Sequence, residues 1–144
     1  MKKLFLMRHA DAAPRRTGQH DADRPLTLHG RKQAAEAAAA AKAKAFSIDL
    51  ILTSPYVRAR ETARIFAVHY EMHDKVVEEP LLASGSSIRE IKKILSQYQH
   101  CGSILCVGHE PDLGEIAAAL LGLAYPQPFD KAEYLEIELS ERNG

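Results

Sequence analysis

Apolar and polar positions alternate along this chain in two rhythms, short apolar runs separated by longer stretches of helical period. Five runs read as strands: Lys3–Arg8, Asp49–Thr53, Lys75–Glu79, Ser103–Gly108 and Glu133–Leu139. The first and fourth are nearly continuous apolar runs, the signature of strands covered on both faces. The last alternates, with Tyr134, Glu136 and Glu138 set against Leu135, Ile137 and Leu139. That is the pattern of an edge strand with one wet face.

Four segments of helical period lie between the strands. Leu28–Ala45 is rich in alanine and follows Thr27, a good N-cap. A second helix is expected with Ser54 as its cap and Pro55 at its first position. Its Ala59, Ala63, Phe66, Ala67 and Tyr70 recur at helical spacing and form a core stripe. The third opens on Ser87-Ile88-Arg89-Glu90, a capping box, and is expected to bury Ile88, Ile91, Leu95 and Tyr98. The fourth starts at Asp112, which reads as a helix cap and not as a catalytic acid. Its apolar face is Leu113, Ile116, Ala117, Leu120 and Leu121, and Gly122 is placed to stop it. Strands alternating with helices predict an α/β fold, a three-layer α/β/α sandwich around a mostly parallel sheet. The final connection, Leu123–Lys131, holds Pro126 and Pro128 and has no helical pattern, so the last strand should return antiparallel at an edge. No repeat or linker interrupts the pattern, and residues 1–144 read as one domain.

Composition narrows the partners. Nineteen Lys and Arg balance nineteen Asp and Glu, giving no net charge. Nucleic acid and anionic membranes call for a basic surplus, so neither is an expected partner. Cys101 and Cys106 form neither a disulfide framework nor a zinc pattern, and Cys106 reads as a buried free thiol. The apolar stretch before Arg8 is too short for a secretory leader. No segment approaches the ~20 apolar residues of a membrane span, which makes a cytoplasmic location the expectation.

The chemistry gathers at strand ends. In open α/β sheets ligands bind beyond the carboxyl ends of the strands. There the first strand carries Arg8-His9-Ala10-Asp11, and the second carries Ser54-Pro55 with Arg58 one helical turn on. The fourth carries Gly108-His109-Glu110-Pro111. Two arginines and two histidines beside helix N-termini describe a site for a tetrahedral anion, with phosphate the obvious guest. Neutral imidazole is a good nucleophile near pH 7, and neighbouring guanidinium groups keep it unprotonated.

These motifs occur in order with Asp23-Arg24-Pro25-Leu26-Thr27 and Gly30. The whole resembles the histidine phosphatase superfamily (phosphoglycerate mutase-like) and, within it, the SixA-like phosphohistidine phosphatases. The resemblance implies that His9 is the phosphoryl acceptor. It also implies that Arg8, Arg58 and a protonated His109 hold the transferred group, with no metal and no cofactor. Two positions depart from the pattern. Ala10 stands where many members have glycine, and a positive φ there would cost about 1 kcal/mol. Larger members also carry a general-acid glutamate in a Leu-x-Glu setting, whereas this chain reads Leu81-Leu82-Ala83, leaving Glu79, Glu110 or Asp11 as substitutes.

An alkoxide leaving group needs that acid far more than the imidazole of a phosphohistidine does. The short stretch between the second and third helices has no room for a lid, and an open cleft suits a side chain on a protein surface. The expected activity is therefore hydrolysis of phosphohistidine on a protein. The alternatives are a phosphatase of small phosphoesters with the same residues, or a catalytically silent phosphate-binding module. A metal site built from His9, Asp11 and His109 is the weakest reading, and His20, His29, His73 and His100 show no ligand spacing. Arg15, Arg16 and His20 follow His9 in a loop that either touches substrate or is simply solvated. The sequence leaves the oligomeric state open.

Overall fold

Leu4, Phe5, Leu6 and Met7 are all buried. A strand paired on both edges and covered on both faces buries such a run. The computed structural model, which describes residues 3–139, provides that setting. Strand β1 (Lys3–Arg8) pairs in parallel with β4 (Ser103–Gly108) on one side and antiparallel with β5 (Tyr134–Glu138) on the other. Beyond β4 lie β2 (Leu50–Thr53) and β3 (Val76–Glu78), both parallel, so the order is β3-β2-β4-β1-β5. The expected mostly parallel sheet with an antiparallel edge is what forms.

The period-2 alternation of each strand sorts its side chains into two cores. Phe5, Met7, Ile51, Leu105 and Val107 meet helices α1 (Leu28–Ala43) and α2 (Val57–His69) through Ala34, Ala38, Ala63 and Phe66. Leu4, Leu6, Leu52, Ile104 and Cys106 meet α3 (Ile88–Gln97) and α4 (Asp112–Leu121) through Ile91, Ile94, Leu95, Leu113 and Ile116. Each fully buried aliphatic side chain contributes about 1.5–3 kcal/mol, so both layers hold the sheet firmly. Within the second core, burial pushes the Cys106 thiol up to about 12, fitting an inert free cysteine. Among the described residues no helix is long and apolar enough to cross a membrane.

Several local expectations change. Helix α2 starts at Val57, and its N-cap Tyr56 makes no side-chain cap. Ser54 instead accepts from Tyr56 N–H (3.2 Å) in the turn before the helix, because its hydroxyl also bonds His109. Asp112 does not cap α4. Its carboxylate accepts from Gly85 N–H (2.7 Å) and Ser86 N–H (3.1 Å), tying down the loop before α3. The capping box of α3 is present, but that helix buries Ile94 fully and leaves Ile88 and Tyr98 only half-buried. Gly122 ends α4 in the left-handed region, at φ 69. Tyr134, expected on a wet face, rests edge-on against Phe46 with ring centroids 5.9 Å apart.

One close approach governs the loop that leaves β1. Asp11 O accepts from Thr27 N–H (3.0 Å), and Thr27 Oγ1 donates to Asp11 Oδ2 (2.7 Å) while accepting from Gly30 N–H (2.9 Å). This lays the start of α1 directly on the Asp11 backbone, and a Cβ on Gly30 would sit 2.1 Å from Asp11 O. Gly30→Ala is therefore expected to destabilise the fold by about 1–3 kcal/mol, with the Asp11 segment displaced. Urea denaturation checks it, and wild-type stability in the variant would mean that the helix can slide away at no cost.

Candidate active site

Strands β1, β4 and β2 run parallel, with Arg8 opposite Gly108 and Thr53 opposite Val107. The ladder continues just past the strand ends, where His9 N–H donates to Gly108 O (3.1 Å) and Ser54 N–H to Val107 O (3.0 Å). His9, Ser54 and His109 therefore emerge side by side on one rim. The two imidazole rings lie with centroids 5.3 Å apart.

His9 Nδ1 sits 2.7 Å from Ala10 O. A carbonyl only accepts, so the ring proton is on Nδ1 and the lone pair is on Nε2. Arg58 Nε–H points at that lone pair from 3.3 Å. His9 is only 8% exposed, and its pKa falls from 6.5 to about 4. Burial is the main cause, opposed by the bond to Ala10 O and reinforced by Arg58, Arg8 and Arg24. The arginines, given the leading part by the sequence argument, come second to desolvation. Ala10 itself has no positive φ and is unstrained, with its N–H donating to Thr62 Oγ1 (3.1 Å).

His109 is 3% exposed and bonds Ser54 Oγ through Nε2 (2.7 Å), while its buried Nδ1 has no partner. Its pKa drops to about 3, through burial first and then the charges of His9 and Arg58. His109 is thus neutral near pH 7 in the free protein. An opposite charge within about 6 Å favours the charged ring, so an oxyanion in the cavity would raise this pKa.

Arg8 donates from Nη1 to Phe129 O (3.1 Å), and its buried Nε is unpartnered. Arg58, 5% exposed, lies with Cζ 5.0 Å from the Tyr56 ring centre and donates from both Nη atoms to Asp21. Arg8, His9, Arg58 and His109 line one cavity of about 210 Å³. Arg24, Ser84, Glu110 and Lys131 share its wall. Lys131 had no signal in the sequence, because it reaches the cavity from a connection without periodicity. Arg24 sat inside a quoted motif but was given no role.

None of the candidate acids is free. Lys131 Nζ donates to Asp11 Oδ1 (2.7 Å), and with Thr27 it holds the Asp11 carboxyl below its usual range. Glu79 caps the turn Pro80–Leu82 through Leu81 N–H and lies off the cavity wall. Glu110 lines the cavity, yet its two oxygens accept from Gly114 N–H (2.6 Å) and Phe129 N–H (3.1 Å). Ser84 lines the cavity and Ala83 does not. Arg15, Arg16 and His20 are exposed and do not line the cavity. Among the described residues no three His, Cys, Asp or Glu side chains are grouped to hold a metal ion.

Comparison with known proteins follows the same lines. Residues 4–83 match the model of the histidine phosphatase superfamily (branch 1). The chain is similar to the phosphohistidine phosphatase SixA homolog of Haemophilus influenzae, 33% identical over 144 residues that span 93% of this chain and 86% of that protein. Phosphohistidine phosphatase SixA of Escherichia coli is 26% identical over 141 residues, spanning 96% and 86%. A solved structure of the protein histidine phosphatase SixA complexed with tungstate matches with a TM-score of 0.89 at 26% identity, covering 98% of this chain and 90% of that one.

The depressed histidines make a pH prediction. Both fold with pKa values below the 6.5 of a free ring, so the folded state binds fewer protons than the unfolded one as pH falls. Their contribution to stability is full above pH 6.5 and is lost progressively as pH drops towards 4 and then 3. NMR titration of the ring protons should give midpoints near 4 for His9 and 3 for His109, and added tungstate should raise that of His109. Ordinary midpoints near 6.5 would show that water reaches both rings.

Proposed function

This chain belongs to the histidine phosphatase superfamily and is a phosphatase, and on that premise we propose that it hydrolyses phosphohistidine on proteins through a phosphorylated His9. The observation that carries the reading is the His9 ring. Its Nδ1–H is held by Ala10 O, it is neutral near pH 7, and its Nε2 lone pair lies 3.3 Å from a guanidinium nitrogen suited to a phosphoryl oxygen. Nε2 attacks phosphorus, the P–N bond to the substrate ring breaks, and its electron pair returns to the leaving imidazole. Arg8, Arg58 and His109 stabilise charge on the equatorial oxygens. Water then attacks the phosphoryl group on His9, the Nε2–P bond breaks, and phosphate departs with the lone pair restored to Nε2.

Substrate class follows from the leaving group. The carboxyl on the cavity wall, Glu110, has both oxygens tied to backbone N–H groups, and Asp11 is held ionised by Lys131. Neither is poised to protonate an alkoxide. A phosphorylated imidazole protonates from water near neutral pH and needs no such donor. The names carried by the SixA relatives support the same choice, and tungstate in one of them is a tetrahedral oxyanion of phosphate type.

His9→Ala is expected to abolish turnover while leaving the fold intact. Arg58→Ala and His109→Ala should each retain a trace of activity, having lost ~10²–10³-fold in rate, about 2.7–4 kcal/mol. Rapid quenching with labelled substrate should trap acid-labile, base-stable phosphate on His9, and label on a serine or aspartate would end the case. The specificity constant for a phosphohistidine protein should exceed that for a sugar phosphate, and EDTA should leave both unchanged. The reverse preference would make small phosphoesters the substrates.

A further inference from the structure

We propose that Asp21, outside the catalytic set, is the positioning residue that aims the guanidinium groups of Arg58 and Arg24 at the phosphoryl group; this rests on the phosphoryl-transfer reading above. The geometry is a carboxylate bridge. Asp21 Oδ2 accepts from Arg58 Nη2 (3.0 Å) and Asp21 Oδ1 from Arg24 Nε (2.9 Å). The Asp21 carbonyl accepts from Arg58 Nη1 as well (2.8 Å). Both terminal nitrogens of Arg58 are thus fixed from one residue. A planar guanidinium held at two corners has the directions of its other N–H groups set, and the one on Nε points at His9 Nε2.

Asp21 is itself held in place. It opens the 3-10 turn Asp21–Asp23, whose following residue Arg24 donates its backbone N–H to Asp21 O (3.2 Å). Arg24 Nη1 reaches back to Ala13 O (3.1 Å), and an Ala12–Leu26 bridge closes the loop. The two arginines so tied both line the catalytic cavity. The ion pairs outweigh desolvation and keep the Asp21 carboxyl below its usual range.

Stability and anion affinity do not account for this arrangement. The Asp21 side chain is 54% exposed, and ion pairs with one partner in water contribute little to folding. A carboxylate between two arginines of the cavity wall also weakens the attraction for an anion. What it supplies is orientation, which acts on the transition state more than on the ground state. The expected signature is a loss in kcat without a loss in oxyanion affinity.

The test compares wild type with Asp21→Asn and Asp21→Glu. Asp21→Asn should lose ~10–100-fold in kcat on a phosphohistidine protein, the scale of an ångström misplacement. Its Kd for tungstate should stay the same or tighten, thermal unfolding should be unmoved, and Asp21→Glu should recover part of the rate. A kcat within about twofold of wild type overturns the proposal, as does a parallel loss of kcat, tungstate affinity and thermal stability. If the wild type instead prefers 4-nitrophenyl phosphate, the substrate assignment fails, but the same kcat ratio measured on that ester still decides the role of Asp21. If it turned over neither, the Arg58 Nε–H signal of the tungstate complex would decide: broadening in Asp21→Asn supports the bridge, and an unchanged signal overturns it.

Discussion

Arg8 stands opposite Gly108 in a parallel ladder, and the next backbone bond runs from His9 N–H to Gly108 O. The rest of the catalytic edge depends on that register. Side chains along a strand alternate between faces, so a slip of one residue between β1 and β4 would turn Leu4 and Leu6 out of one core and carry His9 away from His109. The register is fixed because both strands are buried on both faces, with Phe5 and Met7 against α1 and α2, and Leu4 and Leu6 against α3 and α4. The same burial that stabilises the sheet thus brings the two imidazole rings to 5.3 Å.

Burial also sets the chemistry. His9 and His109 sit at the end of an apolar sheet, and desolvation leads the depression of both pKa values. In free solution half of such rings would be protonated near pH 6.5; here both are neutral, and the positive charge of the cavity resides on Arg8, Arg24, Arg58 and Lys131. The division is useful because guanidinium stays charged in a low-dielectric setting where imidazolium does not. A nucleophile and its charge clamp can then coexist in one small cavity. Asp11 and Asp21 complete the balance from the periphery, each pairing with cavity cations without taking a place on the wall.

Much of this was legible in the sequence, and the failures have a common cause. Strand runs such as Lys3–Arg8 and Ser103–Gly108 show because apolar continuity reports burial on both faces. Arg8, His9, Arg58 and His109 show because they stand at strand ends, where an α/β sheet holds its ligands. Ser54 and Asp112 were misread as caps. Both residue types do cap helices, but the local pattern could not reveal that a distant partner, His109 or the Gly85–Ser86 backbone, competes for the same oxygen. Lys131 and Asp21 were silent for the same reason. Their roles rest on contacts spanning most of the chain in one case and the whole of α1 and β2 in the other, and no period encodes such contacts.

Of the four buried side-chain polar atoms without a hydrogen bond among the described residues, two belong to the cavity. These are Arg8 Nε and His109 Nδ1, whereas Arg60 Nε and Ser86 Oγ lie off the cavity wall. An orphaned buried polar group typically costs about 1–3 kcal/mol, which a fold tolerates only where something offsets it. Ser54 Oγ accepts from Tyr56 N–H and still has its own hydrogen to give, and in the tautomer where that hydrogen goes to His109 Nε2 the ring proton is on Nδ1. In that tautomer both cavity orphans are donors, and the lone pair of His9 Nε2 belongs to a residue of the same wall. Donors held dry and unpaired need no reorganisation when an oxyanion arrives, and their cost is removed on its arrival. The two cores, each closed by helices, supply the stability against which that cost is set. Donors of this kind suit a tetrahedral oxyanion, whereas the larger groove beside Lys3 and Asp49, at the opposite end of the strands, has neither histidine nor arginine in its lining.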